Sequence, residues 1–273
     1  MAYELPRYLC TIKKHLKVSL NKDELKDFLD SKVLQYNTSD FIEPDPISVP
    51  HRYTLKEDIE ISGFLASTIA WGNRKIITKN GHRMMDLMGE SPYDFVMEHN
   101  DAQLERLEGF VHRTFNAVDL VHFIKALQHI YTNRNGLEGI FTTYQTGDSL
   151  QPAIHQLHNA FFEIPHLERT KKHVANPNKG SVSKRINMYL RWMVRQDNAG
   201  VDFGLWKDIS PSKLSCPLDV HSGNVARKLE LLNRKQNDIK ALTELDTNLR
   251  LLDPNDPVKY DFALFGLGIF EGF

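Results

Sequence analysis

The sequence predicts an all-α fold, and three observations support that prediction. Apolar residues recur at three- and four-residue spacing in several separate stretches of the chain. No stretch alternates apolar and polar residues between turn dipeptides, as the strands of an antiparallel sheet would. No segment repeats at a fixed period and none is of low complexity, so the chain is neither a solenoid nor a linker.

Size and composition are those of one large globular domain. The chain has 273 residues, of which 41% are hydrophobic, so it can bury a substantial core. We therefore treat residues 1–273 as a single domain. No apolar run is long enough to span a bilayer, and residues 1–20 mix lysines with apolar residues too evenly for a secretory signal. These features predict a soluble protein of the cytoplasm that does not contact the membrane.

The cysteines and histidines do not predict a metal centre. Cys10 and Cys216 are too few for a disulfide framework or for a four-thiolate iron–sulfur cluster. The twelve histidines are scattered and show none of the spacings typical of zinc sites. We expect no metal and no other cofactor.

Caps and turns indicate where the first helices begin. Asn21 can cap a helix whose apolar residues then follow at helical spacing. Three prolines between residues 43 and 50 exclude a regular helix and indicate a connector. Thr54, with Glu57 three residues later, is typical of a capping box and predicts the start of a second helix.

The second helix is interrupted by the turn W-G-N-R-K at residues 71–75, which gathers Asn73 and Arg74 at a helix junction. A plain surface turn is the simpler interpretation of these residues. A methionine-rich helical pattern follows the turn and is typical of core packing. Two further apolar stripes, at residues 119–131 and 150–162, each predict a helix.

Charge is unevenly distributed along the chain. The formal net charge is −1, but residues 169–195 contain eight lysines and arginines and no acid. The rest of the chain therefore carries 26 basic and 35 acidic residues, a formal −9. Such a segment is expected to form either a phosphate-binding face or a solvated basic helix face.

The segment at residues 176–232 carries the candidate chemistry. Asn-Pro-Asn-Lys-Gly at 176–180 is a turn sequence, and Ser181 or Ser183 can cap the helix that follows. Lys184 then lies in the first turn of that helix, where free N–H groups can hold a phosphate. The positive end of the helix dipole disfavours a cation there, and attack on an electrophilic carbon requires a neutral amine.

A second helix start lies 35 residues further on. Pro217 stiffens the approach to L-D-V-H-S, and either Asp219 or Ser222 can cap the next helix. The helix dipole favours an ionised Asp219. Taken alone, this aspartate is interpreted as a plain N-cap.

The two starts together resemble the helix-hairpin-helix superfamily of DNA glycosylases. The matching motifs are G-S-V-S-K at residues 180–184 and P-L-D-V-H at residues 217–221. The spacing between them resembles the branch that contains the archaeal glycosylase for oxidised guanine. The chain is most similar to a bacterial family of unassigned function related to that branch, which shares K-R-x-N-M-x-L-R-W-M-V-R, C-P-L-D-V-H and the terminal V-K-Y-D-F-A-L-F-G-L-G.

The resemblance implies a two-lobed all-α fold with a DNA cleft, and a glycosylase with lyase activity that excises an oxidised purine such as 8-oxoguanine. Lys184 would be the Schiff-base nucleophile and Asp219 its electrostatic partner, while Met188 would line the pocket for a flipped base. The implied partner is damaged double-stranded DNA in the bacterial nucleoid, bound by a monomer. The residues implied to contact DNA are Lys179, Gly180, Ser181, Ser183, Arg185, His221, Asn73 and Arg74.

One departure from the family pattern affects the hairpin, because the second glycine of the usual motif is Val182 here. This substitution is expected to alter phosphate binding by the turn. Two alternatives stay open at this point. The chain can be a non-catalytic DNA binder that keeps the fold, or a helical protein whose basic segment is only a contact surface for another partner such as RNA.

Overall fold

The computed structural model of the chain describes residues 20–273. Helices account for 63% of the structure and strands for 2%, which confirms the all-α prediction. Residues 1–19 lie outside the described residues, and with them Cys10 and the stretch on which the absence of a secretory signal was predicted. No helix in residues 20–273 combines the length and the apolar character that crossing a membrane requires.

The described chain forms twelve α-helices and one small β-hairpin. The helices are α1 (Lys22–Tyr36), α2 (Lys56–Thr68), α3 (Arg74–Met88), α4 (Pro92–Glu98), α5 (Asp101–Glu105), α6 (Ala117–Asn133), α7 (Gly136–Tyr144), α8 (Gln151–Phe161), α9 (Lys184–Val194), α10 (Val220–Lys228), α11 (Ile239–Leu252) and α12 (Tyr260–Phe270). The strands are β1 (Val111–His112) and β2 (Phe115–Asn116), paired antiparallel.

The predicted helix starts are confirmed in one case and wrong in another. Asn21 caps α1 in a reciprocal capping box with Glu24. The second helix exists where it was predicted, but Thr54 does not cap it. The N-cap of α2 is Leu55, which has no side-chain acceptor, so α2 begins without a side-chain cap.

Two other local features bear on the all-α prediction. The proline-rich connector forms short 3₁₀ turns at Pro46–Ser48 and Pro50–Arg52, in agreement with the expected absence of regular helix. The β-hairpin was not predicted. Its strands are two residues long, too short to produce a period-two pattern that sequence analysis could detect.

The apolar side chains are buried in two clusters. The large cluster is built mainly from α2 to α9, and includes Phe64, Tyr189 and Trp192. The small cluster is built from α1, α10, α11 and α12. Helix α12 contributes to both, since Phe262 packs in the large cluster and Leu264 in the small one. Lys184 and Asp219 therefore lie on helices whose apolar faces pack in different clusters.

Candidate functional site

A single cleft collects most of the residues that the sequence singled out. Its volume is about 790 Å³, within the range of small-molecule pockets. Phe41 and Ile186 on its wall belong to the large cluster, whereas Val182 packs against the small one. Other lining residues that matter below are Trp71, Arg74, Lys172, His173, Ser181, Ser183, Lys184, Arg185, Met188, Arg191, Asp219, His221, Asp261 and Phe265.

The turn before α9 positions Lys184 at the cleft. Asn176 accepts a hydrogen bond from the N–H of Asn178 at 3.0 Å, and Gly180 ends the short 3₁₀ turn in the left-handed region at φ 82°. Ser181 Oγ accepts from the N–H of Ser183 at 3.1 Å. Helix α9 then begins at Lys184, as predicted.

Val182 occupies the position at which the resemblance implies a second glycine. Val182 does not adopt a positive φ; the left-handed residue is Ser183, at φ 51°. Ser183 occupies the N-cap position of α9, but its side chain does not cap the helix, and its buried Oγ has no protein partner. Val182 instead packs against the small cluster.

Asp219 is both an N-cap and a wall of the cleft. Its Oδ1 accepts from the N–H groups of His221 at 2.8 Å and Ser222 at 2.9 Å, within a capping box. Its Oδ2 lies 3.4 Å from Nζ of Lys184, and both side chains remain partly exposed. The cap therefore fixes one carboxylate oxygen and leaves the other directed at the lysine.

Another carboxylate of the cleft, Asp261 on α12, was not predicted from the sequence. It lines the cleft and its Oδ2 accepts from Arg191 at 2.5 Å. Burial raises the pKa of Asp261 to about 6; the charge of Asp219 acts in the same direction and Arg191 opposes it. The available signal was an acid inside the apolar run Y-D-F-A-L-F, since buried acids are nearly always paired.

Arg191 and Arg195 do not belong to a basic surface, so the expectation for residues 169–195 is wrong for these two. Both are 3% exposed. They share Asp202, which accepts from Arg191 at 3.2 Å and from Arg195 at 3.1 Å. Arg195 also pairs with Asp256 at 2.9 Å. The acids that neutralise these two arginines come both from the loop just after α9, as Asp197 and Asp202 do, and from the distant positions Asp256 and Asp261.

Arg185 lies at the base of the cleft with its guanidinium engaged by the protein. The group stacks 4.9 Å from the ring centre of Trp71 and donates to the carbonyls of Thr68 and His173. Burial lowers the pKa of Arg185 to about 10. It also lowers the pKa of His173 to about 4, so the imidazole beside Trp71 is neutral at physiological pH.

Two side chains of the W-G-N-R-K turn lie in different environments, one in solvent and one at the cleft. Asn73 is exposed and caps α3 by accepting from the N–H of Ile76 at 3.3 Å. Arg74 points to the cleft, where it pairs with Asp45 at 2.6 Å and lies 5.0 Å from the ring centre of Phe265. The positive charge of Arg74 is therefore neutralised by the protein.

The remaining candidates lie around the cleft mouth. Lys179 and Gly180 are exposed on the turn before α9, and His221 is exposed in the first turn of α10. Met188, one turn after Lys184, lines the cleft and is partly buried. In residues 20–273 no three His, Cys, Asp or Glu side chains are grouped as metal ligands.

Comparison with known proteins identifies a family without a known function. A family model described as "Protein of unknown function (DUF2400)" matches residues 45–270, a stretch that includes every candidate site residue. No curated protein matches the chain, and no solved structure matches it.

Proposed function

We propose that this chain, which belongs to the DUF2400 family of proteins of unknown function, is a DNA repair glycosylase with lyase activity. The proposed substrate is an oxidised purine such as 8-oxoguanine in duplex DNA. The proposed fold is the two-lobed helix-hairpin-helix arrangement, with one hydrophobic cluster at the centre of each lobe and the cleft between them.

The observation that carries the proposal is the pairing of Lys184 and Asp219. Nζ and Oδ2 are 3.4 Å apart at a cleft, although the residues are 35 positions apart in sequence. This pair keeps about a third of the lysine side chain and a quarter of the aspartate side chain exposed, so a ligand can reach both groups.

Lys184 first loses its ammonium proton to solvent, and the reaction then uses the electron pair of the resulting neutral amine. Nζ attacks C1′ of the damaged nucleotide, the N-glycosidic bond breaks, and the base leaves with the bonding electrons and takes up a proton. The amine loses its proton and the sugar ring opens, giving a Schiff base between Nζ and C1′. Removal of a C2′ proton then breaks the C3′–O bond and nicks the strand.

Asp219 acts electrostatically in this scheme. Positive charge develops on the sugar as the base departs, and a carboxylate already oriented by the α10 cap stabilises it without reorganisation. Oδ1 is held by the N–H groups of His221 and Ser222, which leaves Oδ2 for the sugar and the amine.

The walls of the cleft suit a base that has left the helix stack. Trp71 and Phe265 line the cleft with aromatic rings that already contact Arg185 and Arg74, and Met188 offers an adaptable apolar contact for a purine. The exposed side chain of Lys179 can reach a phosphate at the mouth, whereas the backbone N–H groups of Lys179 and Gly180 already donate to the carbonyls of Asn176 and Pro177.

The test is borohydride trapping on duplexes that carry 8-oxoguanine or an abasic site. Borohydride reduces the Schiff base to a stable amine, so wild type should become covalently linked to DNA. Lys184→Gln should form no adduct, a fall of about four orders of magnitude or more in the rate. Because the pair is partly exposed, this substitution should change the free energy of unfolding by no more than about 1 kcal/mol.

Lys125→Gln is the matched control, since Lys125 is an exposed lysine on α6 outside the cleft lining. It should trap DNA like wild type. An adduct that persists in Lys184→Gln would reject Lys184 as nucleophile. Salt-dependent duplex binding by wild type with no adduct on either substrate would instead favour the non-catalytic DNA binder.

A further inference from the structure

Basic residues without acidic neighbours occur in two more segments, besides the one that carries Lys184. Residues 61–85 contain Arg74, Lys75, Lys79 and Arg83 and no Asp or Glu. Residues 109–118 contain Arg113 and again no acid. In a chain with more acids than bases, such segments are expected to concentrate positive charge if they lie together in the fold.

The structure brings these segments together beside the cleft. Lys75 and Lys79 lie one turn apart on the exposed side of α3. Arg113 lies on the turn between β1 and β2, with its guanidinium packed so closely on Gly72 that a side chain there would collide with it. Lys172 lies on the cleft wall next to His173, whose ring faces that of Trp71.

Hydrogen bonds fix the β-hairpin in this position. Asn80 of α3 and His112 are joined at 2.9 Å, and His112 also contacts the carbonyl of Trp71 at 3.2 Å. From the other side, Arg169 donates to the carbonyl of Thr114 at 3.0 Å. The hairpin is therefore a rigid link between α3 and the segment that leads to Lys184.

The charges on this surface are not neutralised by the protein. In residues 20–273, Lys75, Lys79, Arg113 and Lys172 are all exposed and form no ion pair. Their neighbours differ, because Arg74 pairs with Asp45 and Arg169 with Asp119. The first four side chains, which we call the outer basic rim, are thus free to bind an anion.

We propose that the outer basic rim binds the phosphate backbone of a DNA duplex next to the damaged nucleotide. This inference rests on the proposed function and extends it, since the rim adds a second phosphate contact beyond the turn at Lys179 and Gly180. A polyanion suits the surface better than a single phosphate, because the cations are spread over α3, the β-hairpin and the cleft wall. The rim contributes affinity and orientation, while Lys184 and Asp219 perform the chemistry.

The test measures how duplex affinity depends on salt. The probe is a short duplex with a tetrahydrofuran abasic analogue, which cannot form a Schiff base. The rim variant is Lys75→Gln/Lys79→Gln/Arg113→Asn; asparagine is chosen because Arg113 has φ 55°, which asparagine tolerates. The charge-matched control is Lys125→Gln/Lys235→Gln/Lys240→Gln, three exposed lysines outside the cleft lining.

Removing one cation that binds a phosphate should reduce the magnitude of the negative slope of log affinity against log salt by roughly 0.9. The slope of the rim variant should therefore be smaller in magnitude than that of wild type by about 3. The control variant should keep the wild-type slope. At low salt and saturating protein, the rim variant should still form the borohydride adduct on an abasic duplex, since Lys184 is intact.

The outcomes separate the rim from the proposed function. An unchanged slope in the rim variant, with normal binding and trapping by wild type, overturns the proposal that the outer basic rim binds DNA. The glycosylase proposal is then unaffected. An equal decrease of slope in both triple variants shows a general effect of net charge and also overturns the rim. Absence of duplex binding by wild type overturns both proposals.

Discussion

The two ends of helix α9 carry similar cations in opposite environments. At its start, Lys184 faces Asp219 across 3.4 Å and both side chains reach solvent. Two and three turns later, Arg191 and Arg195 are buried and form ion pairs with Asp202, Asp256 and Asp261. Lys184 and Asp219 make one contact with each other and can form further hydrogen bonds. In the buried cluster around Arg191 and Arg195, the arginines are already paired with acids.

This difference separates charge that holds the fold from charge that can act on a ligand. A buried cluster stays stable only when each charge is matched, so Arg191 and Arg195 have no capacity left for DNA. A partly exposed pair contributes little to stability and can exchange its partner for a substrate. The basic composition of α9 therefore serves two purposes, and burial decides which residue serves which.

The largest expected effect on stability comes from removing a buried charge near the C-terminal end of α9. Arg191→Met leaves Asp202 and Asp261 without one of their cations, and should lower the free energy of unfolding by about 3–5 kcal/mol. Urea denaturation measures the decrease. Arg134→Met is the control, because it removes an exposed pair with Glu163 and should cause no resolvable change. Equal stability of Arg191→Met and wild type would contradict the distinction between the two ends.

A somewhat smaller effect, on catalysis alone, is expected at the exposed end. Asp219→Asn keeps an oxygen that can cap α10 but removes the charge facing Lys184, so unfolding should be unaffected. Single-turnover excision of 8-oxoguanine should fall by about 10²–10³-fold, as for removal of other preorganised electrostatic groups. Asp238→Asn alters the equivalent cap of α11 outside the cleft lining, and should excise the base normally. Similar decreases of the excision rate in both variants would mean that Asp219 acts only as the N-cap of α10.

The smallest effect concerns Asp246, a buried carboxylate that forms no ion pair with any described residue. Asp246 accepts from the N–H of Cys216 at 2.9 Å, and burial raises its pKa to about 6 from the ordinary 3.8. Between those values the folded protein binds the proton more tightly than the unfolded chain. This contribution to stability is complete below about pH 4 and is lost as the pH rises through 6.

Raising the pH from 4 to 7.5 should therefore lower the free energy of unfolding of wild type relative to Asp246→Asn by about 2–3 kcal/mol. Urea denaturation of both proteins at the two pH values measures the difference. A difference that does not depend on pH would show that burial alone does not set the protonation of Asp246, and would weaken the contrast with the paired acids around Arg191.

The sequence predicted what depends on neighbouring residues. The start of α9 at Lys184 follows from a glycine turn and an apolar stripe, and the cap at Asp219 follows from an aspartate before a helix. The side-chain cap of α9 was predicted wrongly, because Ser183 occupies the N-cap position in the left-handed region and its side chain does not cap the helix. Ser183 is buried, so its conformation is set by packing that the local sequence does not reveal.

Pairings between distant residues could not be predicted. Asp256 and Asp261 lie 61 and 70 positions from their arginine partners, and only tertiary packing brings them close. For the same reason, eight basic residues between positions 169 and 195 without an acid looked like a surface, although Arg191 and Arg195 are buried. The approach of Lys184 to Asp219 also depends on this packing, and the sequence suggested it only through resemblance.

The proposal that Lys184 is the nucleophile is tested most directly by locating the reduced adduct within the chain. Wild type is trapped on an abasic duplex with borohydride, the DNA is digested, and the modified peptide is sequenced by mass spectrometry. The remaining sugar should be attached to Nζ of Lys184. Attachment to another amine, or no modified peptide from a protein that binds the duplex, would contradict the proposal.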